Sequence, residues 1–507
     1  MSSENLSPHQ RLLITVAVMS ATLMQVLDTT IVNVALPDMQ GNFGATSDQI
    51  SWVLTSYLVA SAICMPLTGY FSDIWGRKRY LMFGIVGFTI TSALCGIAEN
   101  IGMMVFFRVL QGVFGAALVP LSQAILTDIY PIEQRGKAMA IWGTGITVGP
   151  ILGPTLGGYL TEYFSWRWNF YINLPVGIFA CFLVWRVLPQ SLGRSRLLDW
   201  PAFLLLSLGI GCLQFLLDRG NQEDWLQSVL IRWVCFGALV GFGGFFIRYF
   251  HNKVNPLFHL EVFKDRNFLT ASLIMAVMGI GMYGSMTLQP IMLDTLFQYP
   301  AFVVGLLMAP RGLASMFGMS VAGKLMTKFS PATMIGFGIF LNALGTYGCT
   351  QYSLEMNHFA IIAPGLLQGI GLGFIYVPLS VVALATVDKR YLAEAAGLYS
   401  LMRTIGASAG ISVVITYYTR HGQIHWNLLG GFINEYSQAL KDYVFILGGS
   451  LNTAIPLLAK ELFLQSQMMA ALDTYSMMMT VFVLILPLLL LFQVNKLEAD
   501  SEAPIME

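Results

Sequence analysis

Long apolar stretches alternate with short polar connections along almost the whole chain. Most of the stretches reach the roughly 20 residues that a helix needs to cross about 30 Å of hydrocarbon, and none alternates like a short transmembrane β-strand. The pattern therefore predicts an all-α membrane protein with fourteen transmembrane helices. The predicted spans are 12–34, 50–71, 80–98, 103–126, 138–160, 168–188, 200–217, 228–249, 268–292, 302–323, 332–350, 358–385, 395–418 and 473–494.

The two halves of the chain are related in sequence. Residues 69–85 align without a gap on 323–339, at an offset of 254, and share an initial glycine and a final Phe-Gly-Ile. A pattern of Leu-Gln-Gly followed by Val-Pro-Leu-Ser begins at Leu110 and again at Leu367, at an offset of 257. The offset places the start of the first span on the start of the ninth, which predicts two six-helix repeats separated by two inserted helices. Duplicated helical halves that move against each other around a central site are typical of secondary transporters.

The repeat also predicts the domain organisation. Residues 1–190 form one six-helix bundle, 191–266 hold the two inserted helices, and 267–494 form the second bundle. The second bundle includes a long outer loop, 419–472, and residues 495–507 form a tail. Apolar positions recur at helical spacing in the outer loop, which favours short amphipathic helices there. This loop is interpreted either as a docking surface for a partner or as a segment folded back on the bundle.

Composition agrees with a membrane protein. Of all residues 56% are hydrophobic and 11% charged, and the mean hydropathy is +0.68, whereas a soluble domain is roughly 25% charged. The net charge of zero gives no reason to expect nucleic-acid binding. The six cysteines lie in apolar stretches at no metal or disulfide spacing, so they are interpreted as packing residues.

Charge in the connections predicts the orientation. With the amino terminus inside, most Lys and Arg residues of the connections fall on the cytoplasmic side, whereas the short outer loops hold Arg167 and Arg219. Both termini are therefore expected in the cytoplasm. The first apolar run is too long for a signal peptide and is expected to remain as the first span.

Asp28 and Arg108 are ionisable residues inside predicted spans, where an isolated charge costs at least about 2.5–3.5 kcal/mol. Both lie roughly 8–9 Å from the outer ends of antiparallel spans, so their side chains are expected to be able to meet. A change in their separation or hydration would switch the proton affinity of the carboxylate, which is the basis of proton coupling. A static ion pair joining two helices is the alternative. Arg311 and Arg403 also lie in spans, with no partner evident from sequence.

The connection after the second span carries Gly69, Asp73, Gly76, Arg77 and Lys78. The second half has lost the Asp and the basic pair at the matching positions. Because helix amino ends attract anions and carboxyl ends attract cations, these residues are predicted to form a charged gate against neighbouring helix ends. The alternative is that the basic residues only retain the loop on the cytoplasmic side.

The fifth span carries glycine at every fourth position, twice followed by proline. A bare helix face allows another helix to approach closely, and each proline bends the helix. The span is therefore predicted to pack tightly and, as a functional addition, to pivot between two states. The residues are Gly145, Gly149, Pro150, Gly153, Pro154 and Gly157, and Gly365, Gly369 and Gly373 are expected to repeat the device in the twelfth span.

Together these motifs resemble those of the fourteen-span drug:proton antiporters of the major facilitator superfamily, in particular the EmrB-type multidrug efflux pumps. The resemblance covers nearly the whole chain and is carried by residues 27–37, 69–79, 108–112, 145–158, 166–175 and 213–220. It implies that Asp28 carries the transported proton, that Arg108 tunes it, and that the Asp73 loop is a gate. It also implies a bacterial inner membrane, a periplasmic adaptor of the EmrA type and an outer-membrane channel.

The resulting prediction is a proton-driven exporter of amphipathic or hydrophobic compounds, powered by the proton gradient without a cofactor or metal. The family fold implies a substrate cavity between spans one, four, nine and twelve. Candidate cavity residues are Met24, Gln25, Gln111, Tyr283 and Gln368. A dedicated metabolite exporter or a proton symporter on the same fold is the alternative. An enzyme is disfavoured, because the sequence holds no HExxH or Walker motif and its six histidines fall at span ends or in loops.

Overall fold

A computed structural model describes residues 7–190, 193, 198–251, 257–433, 441, 444 and 451–493 of the chain. The predicted tail, 495–507, lies outside the described residues, as does most of the stretch between 434 and 450. The side chains of Pro150 and Pro154 also lie outside them, so the predicted bends at these two prolines stay predictions.

The described secondary structure is helical, which confirms the all-α fold. Thirteen helices are long and apolar enough to cross a membrane. The helix Ile132–Tyr163, with 32 residues, completes the predicted fourteen. The spanning helices are α1 Pro8–Phe43, α2 Ser47–Cys64 with its continuation Thr68–Trp75, α3 Arg77–Gly96, α4 Ile101–Gly115 with Leu118–Ile129, α5 Ile132–Tyr163, α6 Trp168–Tyr171 with Asn173–Val187, α7 Trp200–Arg219, α8 Val229–His251, α9 Arg266–Phe297, α10 Ala301–Leu325, α11 Pro331–Cys349, α12 His358–Ala385, α13 Leu392–Gly430 and α14 Leu451–Ile485 with Leu486–Leu491.

Local sequence sets several helix ends. Ser7 and Thr46 form capping boxes at the starts of α1 and α2, in which side chain and backbone satisfy each other's free groups. Gly44 ends α1 in the left-handed conformation, at φ 60°, where a side chain is disfavoured. We call the end of the bundle at which α1 starts its inner face and the opposite end its outer face.

Helices α1, α13 and α14 extend furthest beyond the spans that hydropathy predicted. Helix α1 continues to Phe43, well past the predicted end at residue 34. The prediction of a long outer loop over 419–472 is wrong at both ends, because α13 runs to Gly430 and α14 starts at Leu451. Hydropathy misses these turns because they are polar, yet the two extensions pack on each other and join through His425 Nε2 and Asp473 Oδ2, 2.7 Å apart.

Helix packing repeats between the halves, which confirms the predicted six-helix pseudo-repeats. Helices α1 and α5 pack along each other as α9 and α13 do, and α2 with α4 as α10 with α12. The pairs α3 with α6 and α11 with α14 also match. The inserted α8 packs on α7, and α7 contacts both α2 and α13, where Gln214 donates to Ser408 Oγ at 2.5 Å. The insert therefore touches both halves.

The glycine-rich face of α5 lies against α1, as the prediction of a close helix approach requires. A Cβ added at Gly149 would overlap Val26, and one at Gly153 would overlap Thr30. The freed space lets Thr30 Oγ1 donate to the Gly149 carbonyl at 3.0 Å. Packing of this kind, with backbone against side chain, holds α1 in one register along α5.

The second half repeats this packing on α13 and not on α12. The glycines at 369 and 373 pack α12 against α10. The 257-residue offset places Gly149 and Gly153 on Gly406 and Gly410, and added Cβ atoms at these two would overlap the α9 backbone near Gly279. The predicted close packing on the α12 glycines is therefore confirmed at Gly369 and Gly373, whereas Gly365 makes an ordinary contact. The symmetry equivalent of the contact between α1 and α5 is the contact between α9 and α13.

We expect Gly153→Val to separate α1 from α5, because its side chain would overlap Thr30 in a packed interior. Overpacking of this kind costs about 1–3 kcal/mol. Thermal unfolding of the purified protein should shift to lower temperature, and efflux should fall. Gly158→Val is the matched control on the same helix, since its Cβ would make an ordinary contact 3.7 Å from Val34. Equal melting temperatures for the two variants would refute the close-packing account.

Candidate functional site

Asp28 and Arg108 form an ion pair in the interior of the first half. Both side chains are fully buried, and Arg108 Nη1 lies 2.6 Å from Asp28 Oδ2. The sequence predicted that the two side chains could meet, and the contact is confirmed. Asp28 lies farther from the outer end of its own helix than predicted, because α1 continues to Phe43.

Two amide side chains complete the shell of the carboxylate. Gln111 Nε2 donates to Asp28 Oδ1 at 3.0 Å, and Asn173 Nδ2 donates to the same oxygen at 2.8 Å. Asn173 also donates to Ser92 Oγ at 2.9 Å, and Gln111 Oε1 accepts from Arg108 at 2.7 Å. The carboxylate thus joins side chains from α1, α4 and α6, all in the first half.

The guanidinium of Arg108 has its own supports. Its Nε donates to the Val53 carbonyl of α2 at 3.0 Å, and its Cζ lies 4.4 Å from the centre of the Tyr57 ring. Phe170 lies on another side, 5.8 Å away. Further hydrogen bonds and ring contacts offset the desolvation of a buried ion pair, so these contacts help to keep the pair in one geometry. Nη2 of Arg108 is buried without a hydrogen-bond partner.

Sequence reasoning missed part of this network. Asn173 lies in a motif that was recognised, but no role was assigned to its side chain. Ser92 and Tyr57 gave no signal, since serine and tyrosine are common in spans. Gln111 was predicted to line the substrate cavity and instead binds the carboxylate. Within the described residues, no group of three or more His, Cys, Asp or Glu side chains is placed to hold a metal ion.

The second half contains a counterpart of this network without its carboxylate. The offsets place Gln111 on Gln368 and Ser92 on Thr346, and Gln368 Nε2 donates to Thr346 Oγ1 at 3.1 Å. The equivalent of Asp28 is Met282. The ion pair therefore occurs in the first half alone among these matched positions.

The basic residues of the gating loop bind helix ends in their own half. Gly76 separates α2 from α3 and has a φ of 78°, a conformation that favours glycine. Arg77 Nη1 lies 2.8 Å from Asp128 Oδ2 at the end of α4, and Lys78 Nζ donates to the Trp185 carbonyl in the last turn of α6 at 2.7 Å. A cation at a helix carboxyl end is favourable. Asp73 lies half-buried in the last turn of α2.

Gly69 is where this loop reaches the other half. A Cβ added at Gly69 would overlap Glu394 near the start of α13. Glu394 in turn accepts from the backbone N–H of His259, whose Nδ1 lies 3.2 Å from its second oxygen. Glu394 is buried, so Gly69 permits a close contact between the halves at the inner face.

Two further contacts join the halves on the inner side of the bundle. Gly136 at the start of α5 lies against Gly323 near the end of α10. Further in, Trp142 of α5 lies 6.1 Å from Tyr376 of α12, ring centre to ring centre. Arg403 of α13 lies over the same indole at 5.8 Å and donates to Tyr376 Oη at 2.7 Å. These groups form a floor between the halves.

A cavity of about 430 Å³ lies beyond this floor, toward the outer face. Its described walls come from α5, α9, α10 and α12. Two of these helices, α9 and α12, belong to the predicted substrate cavity, and the lining of that cavity by spans one and four stays a prediction. The lining residues are Thr147, Thr155, Met286, Pro290, Asp294, Val304, Gly305, Met308, Ala309, Arg311, Gly312, Ser315 and Leu372. The halves are therefore closed at the inner face, with the cavity on the outer side.

The five predicted cavity residues lie elsewhere. Met24 is fully buried, and Gln25 Oε1 accepts from the Val119 backbone N–H at 3.1 Å. Gln111 and Gln368 belong to the two networks above, and Tyr283 is half-buried in the middle of α9. A contact of these residues with substrate stays a prediction.

Sequence comparison finds a matching family model and related resistance and export proteins. The family model of the Major Facilitator Superfamily matches residues 18–411. The chain is 35% identical over 432 residues to the fatty acid resistance protein FarB of Neisseria gonorrhoeae, covering 85% of each chain. It is 32% identical over 486 residues to the multidrug export protein EmrB of Escherichia coli strain K12, covering 94% of each.

Solved structures show the same fold at low sequence identity. The human organic anion transporter MFSD10 (TETRAN) gives a TM-score of 0.64 at 15% identity, covering 96% of this chain and all of the other. The proton:xylose symporter XylE gives 0.59 at 15% identity, covering 93% of this chain and 96% of the other.

We expect Gly69→Val to prevent closure of the inner face, because the added side chain would overlap buried Glu394. Efflux measured in inverted membrane vesicles should fall at least about tenfold, since a displacement worth 1.4 kcal/mol already changes an equilibrium tenfold. Gly243→Val in α8 is the matched control, as a Cβ there meets no atom within 4 Å. Efflux by the Gly69 variant at the rate of the control would argue against a closing contact at this position.

Proposed function

Because the chain belongs to the major facilitator superfamily, in the branch of EmrB-type multidrug export proteins, we propose that it exports amphipathic or hydrophobic toxic compounds in exchange for protons. Family and fold indicate a transporter and not an enzyme. The relatives are described as multidrug export and fatty acid resistance proteins, which supports export of small amphipathic molecules.

The observation that carries proton exchange is the buried carboxylate of Asp28. It is enclosed by Arg108, Gln111 and Asn173 from two other helices. Protonation removes the negative charge that pairs with Arg108, so the two protonation states favour different arrangements of α1 and α4. Binding and release of one proton can therefore shift the balance between two conformations.

The packing of α1 on α5 supports transmission of this change. Asp28 lies on the same stretch of α1 as Val26 and Thr30, which fit against Gly149 and Gly153 of α5. Helix α5 in turn carries Trp142, which forms the floor between the halves. A displacement of α1 therefore reaches the contact that closes the inner face.

In the proposed cycle the structure corresponds to the outward-facing state. A proton from the outer side neutralises Asp28 while the substrate leaves the cavity. The halves then tilt, the inner face opens, the proton passes to the cytoplasm, and the next substrate enters. Proton entry and substrate exit thus alternate at one pair of states, which defines antiport.

We further propose a bacterial inner membrane as the location, with both termini in the cytoplasm and the protein working in a three-part efflux system. Clusters of Lys and Arg at the inner face, including Arg77 and Lys78, support this orientation. The outer extensions of α13 and α14 expose apolar side chains such as Leu428 and Ile455, which support docking of a periplasmic adaptor. The adaptor would pass the substrate to an outer-membrane channel.

We expect Asp28→Asn to abolish proton-coupled efflux while the protein stays folded, because an amide cannot gain or lose the proton. The measurement is substrate export and proton movement in proteoliposomes with an imposed pH gradient. Asp38→Asn is the matched control, since Asp38 lies exposed on the same helix.

The direction of proton movement separates antiport from the alternative of symport. Protons should move opposite to the substrate in wild type and in the Asp38 variant. Export against a gradient at the wild-type rate by the Asp28 variant would exclude Asp28 as the coupling group, and co-directional proton movement would exclude antiport.

We expect Arg108→Ala to move the pH profile of transport toward higher pH, because the variant loses a favourable interaction with the charged carboxylate. The profile is measured as initial efflux rate against external pH. Arg232→Ala removes the same charge from an exposed position on α8 and should leave the profile unchanged. An unshifted profile in the Arg108 variant would assign the pair a purely structural role.

A further inference from the structure

Arg311 of α10 is a buried cation that the proton-coupling network does not use. Resting on the proposed export function, we propose that Arg311 binds the anionic group of the transported molecule, so that the preferred substrates are amphipathic anions such as long-chain carboxylates. The hydrocarbon part would lie in the outer cavity, which Arg311 itself lines.

The surroundings of Arg311 are polar but uncharged. Arg311 is buried, with 7% of its surface exposed, and its Nη1 donates to Ser285 Oγ at 3.1 Å. Ser285 donates onward to Gln368 Oε1 at 3.4 Å. Among the described ion pairs, drawn at up to 4.0 Å, none involves Arg311, whereas Arg108 has its carboxylate at 2.6 Å. A guanidinium in a membrane interior without an internal anion is costly, which is typical of a site completed by a ligand.

The internal repeat indicates what is missing. Gln368, Thr346 and Cys349 match Gln111, Ser92 and Cys95 of the first half, and both sets keep the contact between the glutamine and the cysteine. Gln111 lies 3.6 Å from Cys95 Sγ, and Gln368 lies 3.7 Å from Cys349 Sγ.

The charged members of the repeat differ between the halves. The position of Asp28 is taken by Met282, and that of Arg108 by Gly365, which lies beside Arg311. The second half therefore keeps the amide network and a cation from a neighbouring helix, but not the carboxylate. An anion supplied by the substrate would take the place that the first half fills with its own side chain.

The cavity walls fit the rest of such a molecule. Most of the lining is apolar, with Met286, Met308 and Leu372 among the larger side chains. Methionine adapts to hydrocarbon of different shapes, and about 430 Å³ lies in the range of small-molecule sites. Asp294, the acidic residue of the described lining, is exposed at the outer end of α9, where water solvates it.

The test measures binding of three probes with the same twelve-carbon chain to purified protein in nanodiscs of neutral lipid. The probes are dodecanoate, dodecanol and dodecyltrimethylammonium, each corrected for binding to empty nanodiscs. Wild type should bind dodecanoate about 10- to 100-fold more tightly than dodecanol, the range expected for one charge-assisted hydrogen-bonded contact.

Variants locate the effect. Arg311→Gln should lose the preference for dodecanoate over dodecanol, and Arg311→Lys should retain at least part of it. Arg232→Gln on the exposed face of α8 is the matched control and should bind like wild type. The comparison of probes on wild type needs no variant, so the proposal stays testable if Arg311→Gln fails to fold.

Several results would overturn the proposal. Equal binding of dodecanoate and dodecanol by wild type would do so, as would tightest binding of the cationic probe, which would point to Asp294. An unchanged preference in folded Arg311→Gln would place the anion elsewhere. Proton-coupled export of uncharged compounds without dodecanoate preference would remove this inference alone. Dodecanoate binding without proton movement during export would instead remove the proposed antiport.

Discussion

The structure depends on the buried ion pair of Asp28 and Arg108, because an isolated charge in a membrane interior is costly. Asp28 and Arg108 are held in a site without water by three donors to the carboxylate and by a backbone carbonyl and an aromatic ring at the guanidinium. These supports come from three other helices of the first half, α2, α4 and α6. The packing of the first half and the ionisation of Asp28 are therefore coupled.

The glycine contacts connect the helix that carries Asp28 closely to its neighbour in the bundle. Backbone packs on side chain where α5 meets α1, and on backbone where α13 meets α9. Such contacts are specific in register and resist small adjustments, because no flexible side chain lies between the helices. Gly149 and Gly406 are related by the internal repeat, so both halves have the same close helix contact. Among the matched positions, the Asp–Arg pair occurs in the first half. In the proposed exchange, the first half binds the proton and the second half binds the anionic group of the substrate.

Much of this was open to prediction from the sequence. Hydropathy and the internal repeat led to fourteen helices in two related bundles, and the depth of Asp28 and Arg108 led to their contact. The shell around them was not predictable, because Ser92 and Asn173 are recruited by tertiary packing that no local pattern records. The predicted helices were too short at their polar ends, where α13 and α14 continue to pack on each other beyond the apolar stretch. The cavity of this conformation shares α9 and α12 with the predicted substrate cavity, because a sequence does not show which conformation a transporter occupies.

The inserted helix α7 covers one of the two seams between the halves, since it contacts both α2 and α13. On the other seam, α10 presents Leu306, Leu313 and Phe317 outward. Lipid can approach the boundary between the halves there and is excluded where α7 lies. Under the proposed function, and among the described helices, a molecule dissolved in the bilayer would reach the boundary between the halves along α10, and the insert would set the side of lateral entry.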